Sequence, residues 1–256
     1  MSNGSAPAVR IGDPDGPYRR RIRTVAADDG VIEGGLEDDF HHFEITLRHD
    51  GERVISVESR SRRWPWSTCP GAAVNLRPIE GMPLSKRCTA VAEIADPRMN
   101  CTHQFDLTGL CVSHAARGDE RRQYDAELPP VMDGITHPRL WRNGELVLEW
   151  TLSTRDRGLV DSPPYDDAPW RGGFFRWADD TLDPDAAEAA IVLRRACEIG
   201  MGRGMDLEAV DSAEELGPMM GTVCYTMQPS VMPVAFRNRG SIRDFARHPE
   251  ALLDDQ

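Results

Sequence analysis

Three stretches of the chain alternate apolar and polar side chains around tight-turn signals, and this pattern constrains the fold more than any other feature. In one stretch Phe43, Ile45 and Leu47 alternate with polar residues, and Asp50-Gly51 follows as a turn. A period of two is that of a half-buried strand, and Asp-Gly and Asn-Gly pairs favour hairpin turns. The sequence therefore predicts an antiparallel sheet built from hairpins. The predicted hairpins pair Arg19 to Ala26 with Val31 to Glu37, Phe43 to Leu47 with Val54 to Val57, and Arg139 to Arg142 with Glu145 to Leu152.

Helical periodicity interrupts the strands in three places. Two helices are predicted approximately from Leu84 to Ile94 and from Cys101 to Ala116. A third starts at Pro184 behind the cap Asp183 and ends at Gly200. Because half-buried strands need a cover for their apolar face, we expect an α+β fold in which the sheet packs against the helix that starts at Cys101.

Composition divides the chain of 256 residues into three parts. Residues 1–17 are rich in Gly and Pro and predict a disordered arm. Residues 18–152 form the predicted α+β core. Residues 153–256 predict a long lid or connector, then the third helix and an irregular C-terminal segment that packs on the same core.

Charge and hydropathy limit the partners. A net charge of -12 argues against nucleic-acid binding. No stretch approaches the roughly 18 apolar residues of a membrane span, and the N-terminus lacks the apolar segment of a signal peptide. We therefore expect a cytoplasmic protein with a small-molecule substrate, and a homodimer remains open. The one basic cluster, Arg19, Arg20, Arg21 and Arg23, predicts a solvated strand edge.

Six cysteines lie far apart and form no CxxC pair. Neither a disulfide framework nor a zinc ribbon is indicated, so all six are expected to be reduced.

The tripeptide Cys101-Thr102-His103 opens the second predicted helix, with Asn100 as its expected cap. The positive end of a helix favours a thiolate and a neutral imidazole in the first turn. Asp106 follows His103 by three residues and is expected to orient its ring. Alternatively, Cys101 packs in a core and His103 is a buried, hydrogen-bonded histidine.

Strand alternation separates the histidine pair. Extended backwards from Phe43, it places His41 on the apolar face, while His42 shares the polar face with Glu44. An inward histidine needs either a structural hydrogen bond or a role in a pocket, and the sequence leaves both open.

The segment Trp64-Pro65-Trp66-Ser67-Thr68-Cys69-Pro70-Gly71 predicts an ordered loop. Its two indoles are expected either to line a pocket for a flat apolar ligand or to cover the sheet. Tyr225, in the irregular C-terminal region, is a further candidate for substrate contact.

Three motifs occur together in the first part of the chain: Asp39-Phe40-His41-His42-Phe43, Trp64-Pro65-Trp66-Ser67-Thr68-Cys69-Pro70-Gly71-Ala72 and Asn100-Cys101-Thr102-His103-Gln104-Phe105-Asp106-Leu107. In this combination the chain resembles the bacterial domain-of-unknown-function family 2889 over about residues 18–152. Cys69, Cys101 and His103 are the matching positions. The resemblance implies a small-molecule enzyme of bacteria that degrade aromatic or steroidal compounds, and it says nothing of residues 160–256.

No dinucleotide, P-loop, zinc-protease or serine-hydrolase motif is present. One hypothesis is therefore a cofactor-independent acid/base enzyme, a carbon–carbon lyase acting on a phenolic or other aromatic catabolite. In it His103 is the base, Asp106 orients it, and His41 is a second acid/base group. The substrate contacts are Trp64, Trp66, His42 and Tyr225.

A second hypothesis is a zinc site, or more remotely an iron–sulfur site, held by Cys69, Cys101 and His103 with His41 or His42 completing the shell. A third is a binding protein or enzyme subunit without chemistry of its own.

Overall fold

A seven-stranded antiparallel sheet forms the centre of the computed structural model, which describes residues 15–156 and 158–254. Its strand order is β4-β3-β2-β1-β5-β7-β8, and a second sheet has the order β10-β9-β6. The predicted α+β fold is confirmed. Residues 1–14 of the arm predicted over residues 1–17 lie outside the described residues. The strands are β1 (Tyr18–Asp28), β2 (Val31–Asp38), β3 (His42–His49), β4 (Val54–Arg63), β5 (Arg121–Leu128), β6 (Ile135–Thr136), β7 (Arg139–Arg142), β8 (Glu145–Glu149), β9 (Leu152–Ser153) and β10 (Gly158–Leu159).

Four α-helices and several 3-10 segments cover the sheet and extend the chain beyond it. The α-helices are α1 (Thr102–Arg117), α2 (Phe174–Thr181), α3 (Pro184–Gly200) and α4 (Gly217–Met220). The 3-10 segments are Cys69–Ile79, Cys88–Glu93, Pro97–Met99, Met201–Gly204, Leu207–Ala209, Ala213–Leu216, Tyr225–Met227, Met232–Val234 and Pro249–Ala251. No described helix is both long enough and apolar enough to cross a lipid bilayer.

The first two predicted hairpins are confirmed by the pairing of β1 with β2 and of β3 with β4. Their alternation puts Ile22, Leu36 and Ile45 on the face that α1 covers. α1 and α3 also match their predictions, and Asp183 caps α3 by accepting hydrogen bonds from the backbone N–H groups of Asp185 and Ala186.

The helix predicted from Leu84 to Ile94 is wrong, because only the 3-10 segment Cys88–Glu93 forms there. Thr89 and Val91 are β-branched, which lowers helix propensity. The segment instead packs against α1, where the backbone of Cys88 approaches Gly109. This packing forms one wall of a cavity described below.

The third hairpin is shorter than predicted. β8 ends at Glu149, Leu146 is 52% exposed, and Leu152 belongs to the second sheet. Trp150 leaves the strand pattern because its ring packs against Tyr165 and other aromatic side chains of the segment predicted as a lid or connector. That cluster consists of Trp150, Tyr165, Trp170, Phe174 and Trp177.

The arginine cluster of β1 is not a strand edge, because β1 lies between β2 and β5. Arg19 and Arg21 point away from α1 and donate hydrogen bonds to the backbone carbonyls of Ala246 and Leu252 in the C-terminal segment. Arg20 points to the opposite face, towards α1, and is buried. β1 therefore ties the C-terminal segment to one face of the sheet and buries the cation of Arg20 on the other face, which α1 covers.

Because Gly109 packs closely against the backbone of Cys88, we expect Gly109→Ala to destabilise the protein. An added Cβ would lie less than 3.0 Å from the carbonyl oxygen of Cys88. Overpacking of this kind costs about 1–3 kcal/mol, and it opposes the gain of about 1 kcal/mol from helix propensity. Urea denaturation should give a net loss of stability. Gly204→Ala, with no heavy atom within 4 Å of the new Cβ, should change the free energy of unfolding by less than about 0.5 kcal/mol. Equal effects of the two substitutions would contradict the packing.

Candidate active site

Asp38 and His41 form the centre of a buried polar cluster at the turn between β2 and β3. The Asp38 Oδ1 atom accepts hydrogen bonds of 2.8 Å from the backbone N–H groups of Phe40 and His41. The same oxygen lies 2.9 Å from Nδ1 of the His41 ring. An aspartate that accepts backbone N–H groups two and three residues later stabilises its own turn. The turn therefore holds the His41 ring in one orientation.

The second oxygen of Asp38 binds two groups from β1. Its Oδ2 atom accepts hydrogen bonds from Tyr18 Oη at 2.8 Å and from Arg20 Nε and Nη2 at 3.0 and 2.6 Å. Asp38 and Arg20 are 0% and 2% exposed. Burial alone would favour the neutral acid, but the interactions with His41 and Arg20 hold the pKa of Asp38 well below its usual range. Asp38 is therefore an ionised carboxylate inside the protein.

His103, in the first turn of α1, stacks on His41. The two ring centroids are 3.6 Å apart and the rings are inclined by 25°. Burial lowers the pKa of both histidines, and the proximity of His41 lowers that of His103 further, to well below its usual range. The structure thus keeps two neutral imidazoles in contact at neutral pH.

The protonation of His41 follows from its partner. An ionised carboxylate can only accept hydrogen bonds, so Nδ1 of the neutral His41 ring carries the hydrogen and Nε2 has a free lone pair. This is the arrangement of a general base whose orientation a carboxylate fixes.

Both histidines line a cavity of about 500 Å³, a volume typical of small-molecule sites. Phe40 and Trp66 belong to its wall, and the charged side chains that reach it are Glu198 and Arg237. Methionines from the segments after α3 supply much of the remaining wall, and their flexible thioethers suit an apolar ligand of irregular shape. They are Met201, Met205, Met219, Met220 and Met227.

Cys69, Cys101 and Cys224 also line this cavity, but they are thiols. Burial raises the pKa of Cys69 to about 12 and that of Cys101 well above its usual value. The predicted thiolate at the helix start is wrong, because the cost of desolvation exceeds the effect of the helix end. All six cysteines are free, as predicted.

The cap of α1 also differs from the prediction. Cys101 occupies the N-cap position without a side-chain hydrogen bond, whereas the Asn100 side chain donates to the carbonyl of Asp96. Asn100 thus closes the preceding turn, and α1 begins one residue later than expected for an Asn100 cap.

Asp106 does not orient His103. Its Oδ2 atom accepts a hydrogen bond of 2.6 Å from Arg195 Nε on α3. Asp38 is the carboxylate that orients a histidine, and that histidine is His41, whose ring stacks on that of His103. Sequence reasoning missed Asp38, Arg20 and Tyr18. Two signals were available. Asp38 precedes the inward His41 by three residues, and strand alternation places Arg20 on the same face of β1 as Ile22.

Of the four predicted substrate contacts, the structure brings only Trp66 to the cavity beside the histidines. Trp64 and Tyr225 pack against the hydrophobic cluster behind this wall. His42 lies on the opposite face of the sheet, where its Nδ1 atom is 3.5 Å from a carboxylate oxygen of Glu37. Strand alternation had predicted this separation of His41 from His42.

A metal could be held by a different set of residues from the one predicted. Among residues 15–156 and 158–254, the one group of at least three ligand atoms within 4.8 Å of one another is Asp38, His41 and His103. The predicted set of Cys69, Cys101 and His103 does not form such a group.

A scan against protein-family models finds no match to the chain, and a search of curated proteins finds none either. The resemblance to family 2889 stays a prediction. The function is therefore inferred from the geometry of the site.

Replacing Arg20 tests how strongly the cluster depends on its cation. Arg20→Met leaves the Asp38 carboxylate buried without a counter-charge, and breaking a buried pair from one side costs about 3–5 kcal/mol. The matched variant Arg19→Met removes a partly exposed pair with Glu127 and one hydrogen bond to the carbonyl of Ala246, and it should cost about 1–2 kcal/mol. Denaturant unfolding of both variants measures the difference, and similar losses for the two would contradict a buried ionised Asp38.

Proposed function

We propose that the protein is a cofactor-independent acid/base enzyme, a carbon–carbon lyase acting on a hydroxylated aromatic small molecule in the cytoplasm. One observation carries the proposal: a neutral histidine pair, oriented by a buried carboxylate, lies in the wall of a largely apolar cavity. Proton transfer by a positioned histidine needs such a neutral ring next to the substrate. The resemblance to family 2889 supports the same class of substrate.

In this proposal His41 is the general base and acts through Nε2. Asp38 holds the Nδ1–H group and stabilises the imidazolium that forms, since the opposite charge is already in place. His103 stacks on the ring and disfavours lasting protonation of the pair, so the proton is returned. Trp66 and the methionines bind the ring of the substrate.

The proposed step breaks a carbon–carbon bond without a redox change. His41 first takes the phenol proton of the substrate and passes it to a leaving group as that group departs from the benzylic carbon, which gives a quinone methide. His41 then takes the proton of a hydroxymethyl group on the adjacent carbon, and that group departs as an aldehyde. The electron pair of the broken bond forms an alkene and restores the phenolate. The imidazolium returns its proton to this phenolate, so atoms and charges balance and His41 ends as the neutral base.

Substitution of the histidines tests the assignment. Phenolic compounds that carry a leaving group on the benzylic carbon and a hydroxymethyl group on the adjacent carbon would be screened for aldehyde release. With the compound that reacts, His41→Ala should lower turnover by about 10²-fold or more while the protein stays folded. His103→Ala leaves the base in place and should lower turnover by less.

His114→Gln is the matched control, because His114 is a buried histidine of the same helix that bonds Thr24 and does not line the cavity. It should keep turnover per folded molecule. Full turnover of folded His41→Ala would refute the base assignment. Binding of these compounds to wild type without any turnover would favour the non-catalytic binding protein.

A metal site at Asp38, His41 and His103 is the second candidate, favoured by the closeness of their ligand atoms. Two features oppose it. Asp38 already accepts hydrogen bonds on both oxygens, and Arg20 places a positive charge 2.6 Å from one of them. A dication would have to replace these donors next to a guanidinium.

Elemental analysis of protein purified without a histidine tag decides between the two candidates. The acid/base proposal predicts zinc and iron well below one ion per chain, with activity unchanged after chelator treatment. Near-stoichiometric metal that His103→Ala removes would establish the metal site instead.

A further inference from the structure

A second cavity, of about 600 Å³, lies between α1, α2, α3 and the segment Cys88–Glu93. Its wall includes the apolar side chains of Phe105, Leu110 and Ile191. Arg195 and Asp106 line this cavity, and Glu198, which binds Arg195, lines the first one. The ion pairs of Arg195 therefore separate the two cavities.

Arg20 reaches this second cavity with an unused nitrogen. Its Nε and Nη2 atoms donate to Tyr18 and Asp38, whereas Nη1 has no hydrogen-bond partner in the described part of the chain. The residue is only 2% exposed. Because Nη1 is not one of the buried polar atoms without a partner, it is accessible within the cavity, where a ligand oxygen could accept a charge-assisted hydrogen bond from it.

Arg195 repeats this arrangement. Its Nε donates to Asp106 and its Nη1 donates to Glu198, each at 2.6 Å, and its guanidinium lies 4.9 Å from the centre of the Phe175 ring. Its Nη2 has no hydrogen-bond partner among residues 15–156 and 158–254. Two guanidinium groups that line one cavity thus each retain a nitrogen able to donate.

The charges of the cavity identify the kind of acceptor. Asp38 balances Arg20, and Asp106 and Glu198 together outweigh Arg195. The other charged side chains of the wall are two arginines against three carboxylates: Arg87, Arg176, Glu93, Asp179 and Asp180. An added carboxylate would therefore enter a site without excess positive charge, and its desolvation would not be repaid. A neutral oxygen can accept the free N–H groups without this cost.

We propose that the second cavity is a binding site for an uncharged, mostly apolar small molecule whose carbonyl or hydroxyl oxygen accepts hydrogen bonds from Arg20 and Arg195. The apolar wall holds the body of the ligand, and the two arginines bind its oxygen. This cavity is separate from the one in which the His41 chemistry is proposed, and the two sites share Arg20, which also pairs with Asp38.

Methyl-detected NMR with three matched probes tests the site. Benzamide presents a neutral carbonyl, toluene presents no acceptor, and benzoate presents an anion. Methyl groups of Val91, Leu110 and Ile191 report on the second cavity, while those of Leu207, Leu216 and Val223 report on the first. We expect saturable shifts of the first set with benzamide, and dissociation constants at least about tenfold higher for toluene and for benzoate.

Two tryptophan substitutions localise the binding. Ala92 is exposed and lines the second cavity, so Ala92→Trp fills it and should raise the dissociation constant of benzamide at least tenfold. Met219→Trp places the same ring at the first cavity and should leave the shifts of the first methyl set unchanged.

Four results would overturn the proposal: no shift of the Val91, Leu110 and Ile191 methyls, equal binding of toluene, tighter binding of benzoate, or benzamide binding that survives Ala92→Trp. None of them bears on the His41 assignment, because that assignment is tested by turnover in the other cavity.

Discussion

The buried carboxylate of Asp38 is the interaction on which the rest of the site depends. An ionised group in the interior is tolerated only with a counter-charge and several hydrogen bonds. Here Arg20 supplies the charge, and Tyr18, two backbone N–H groups and His41 supply the remaining bonds. Because these donors come from β1 and from the turn after β2, the pairing of those two strands must be correct before the cluster can form.

The same cluster explains how a largely apolar cavity can contain basic groups. Desolvation keeps His41 and His103 neutral, and Asp38 prevents His41 from turning away. Desolvation also keeps Cys101 a thiol although it lies at a helix start. The environment therefore keeps the imidazoles neutral and the thiol protonated, and a helix end alone does not decide which group is ionised.

Local periodicity predicted most of the framework. Hairpins, α1 and the Asp183 cap depend on residues close together in sequence, and the inward direction of His41 followed from the alternation around Phe43. The partners of that histidine could not be found in this way. Arg20 lies opposite Asp38 on the neighbouring strand, so the pair depends on the register of β1 against β2, which a bulge between Ala26 and Asp28 shifts.

The errors have the same origin. Asp106 follows His103 at a helical spacing, but the carboxylate pairs with Arg195 on a helix almost ninety residues later. Trp64 and Trp66 are two residues apart, yet only Trp66 reaches the cavity, because the loop that carries them has no regular period. Spacing along one element predicts which side chains share a face, and packing between elements decides which of them meet.

The tautomer of His41 is the most direct test of this account. Long-range ¹H–¹⁵N correlation spectra of the native protein at pH 7 distinguish the two nitrogens of each histidine ring. We expect the hydrogen of the His41 ring on Nδ1, held by Asp38, and Nε2 without a proton. A hydrogen on Nε2, or a doubly protonated ring, would contradict the assignment of His41 as the base and of Asp38 as the group that orients it.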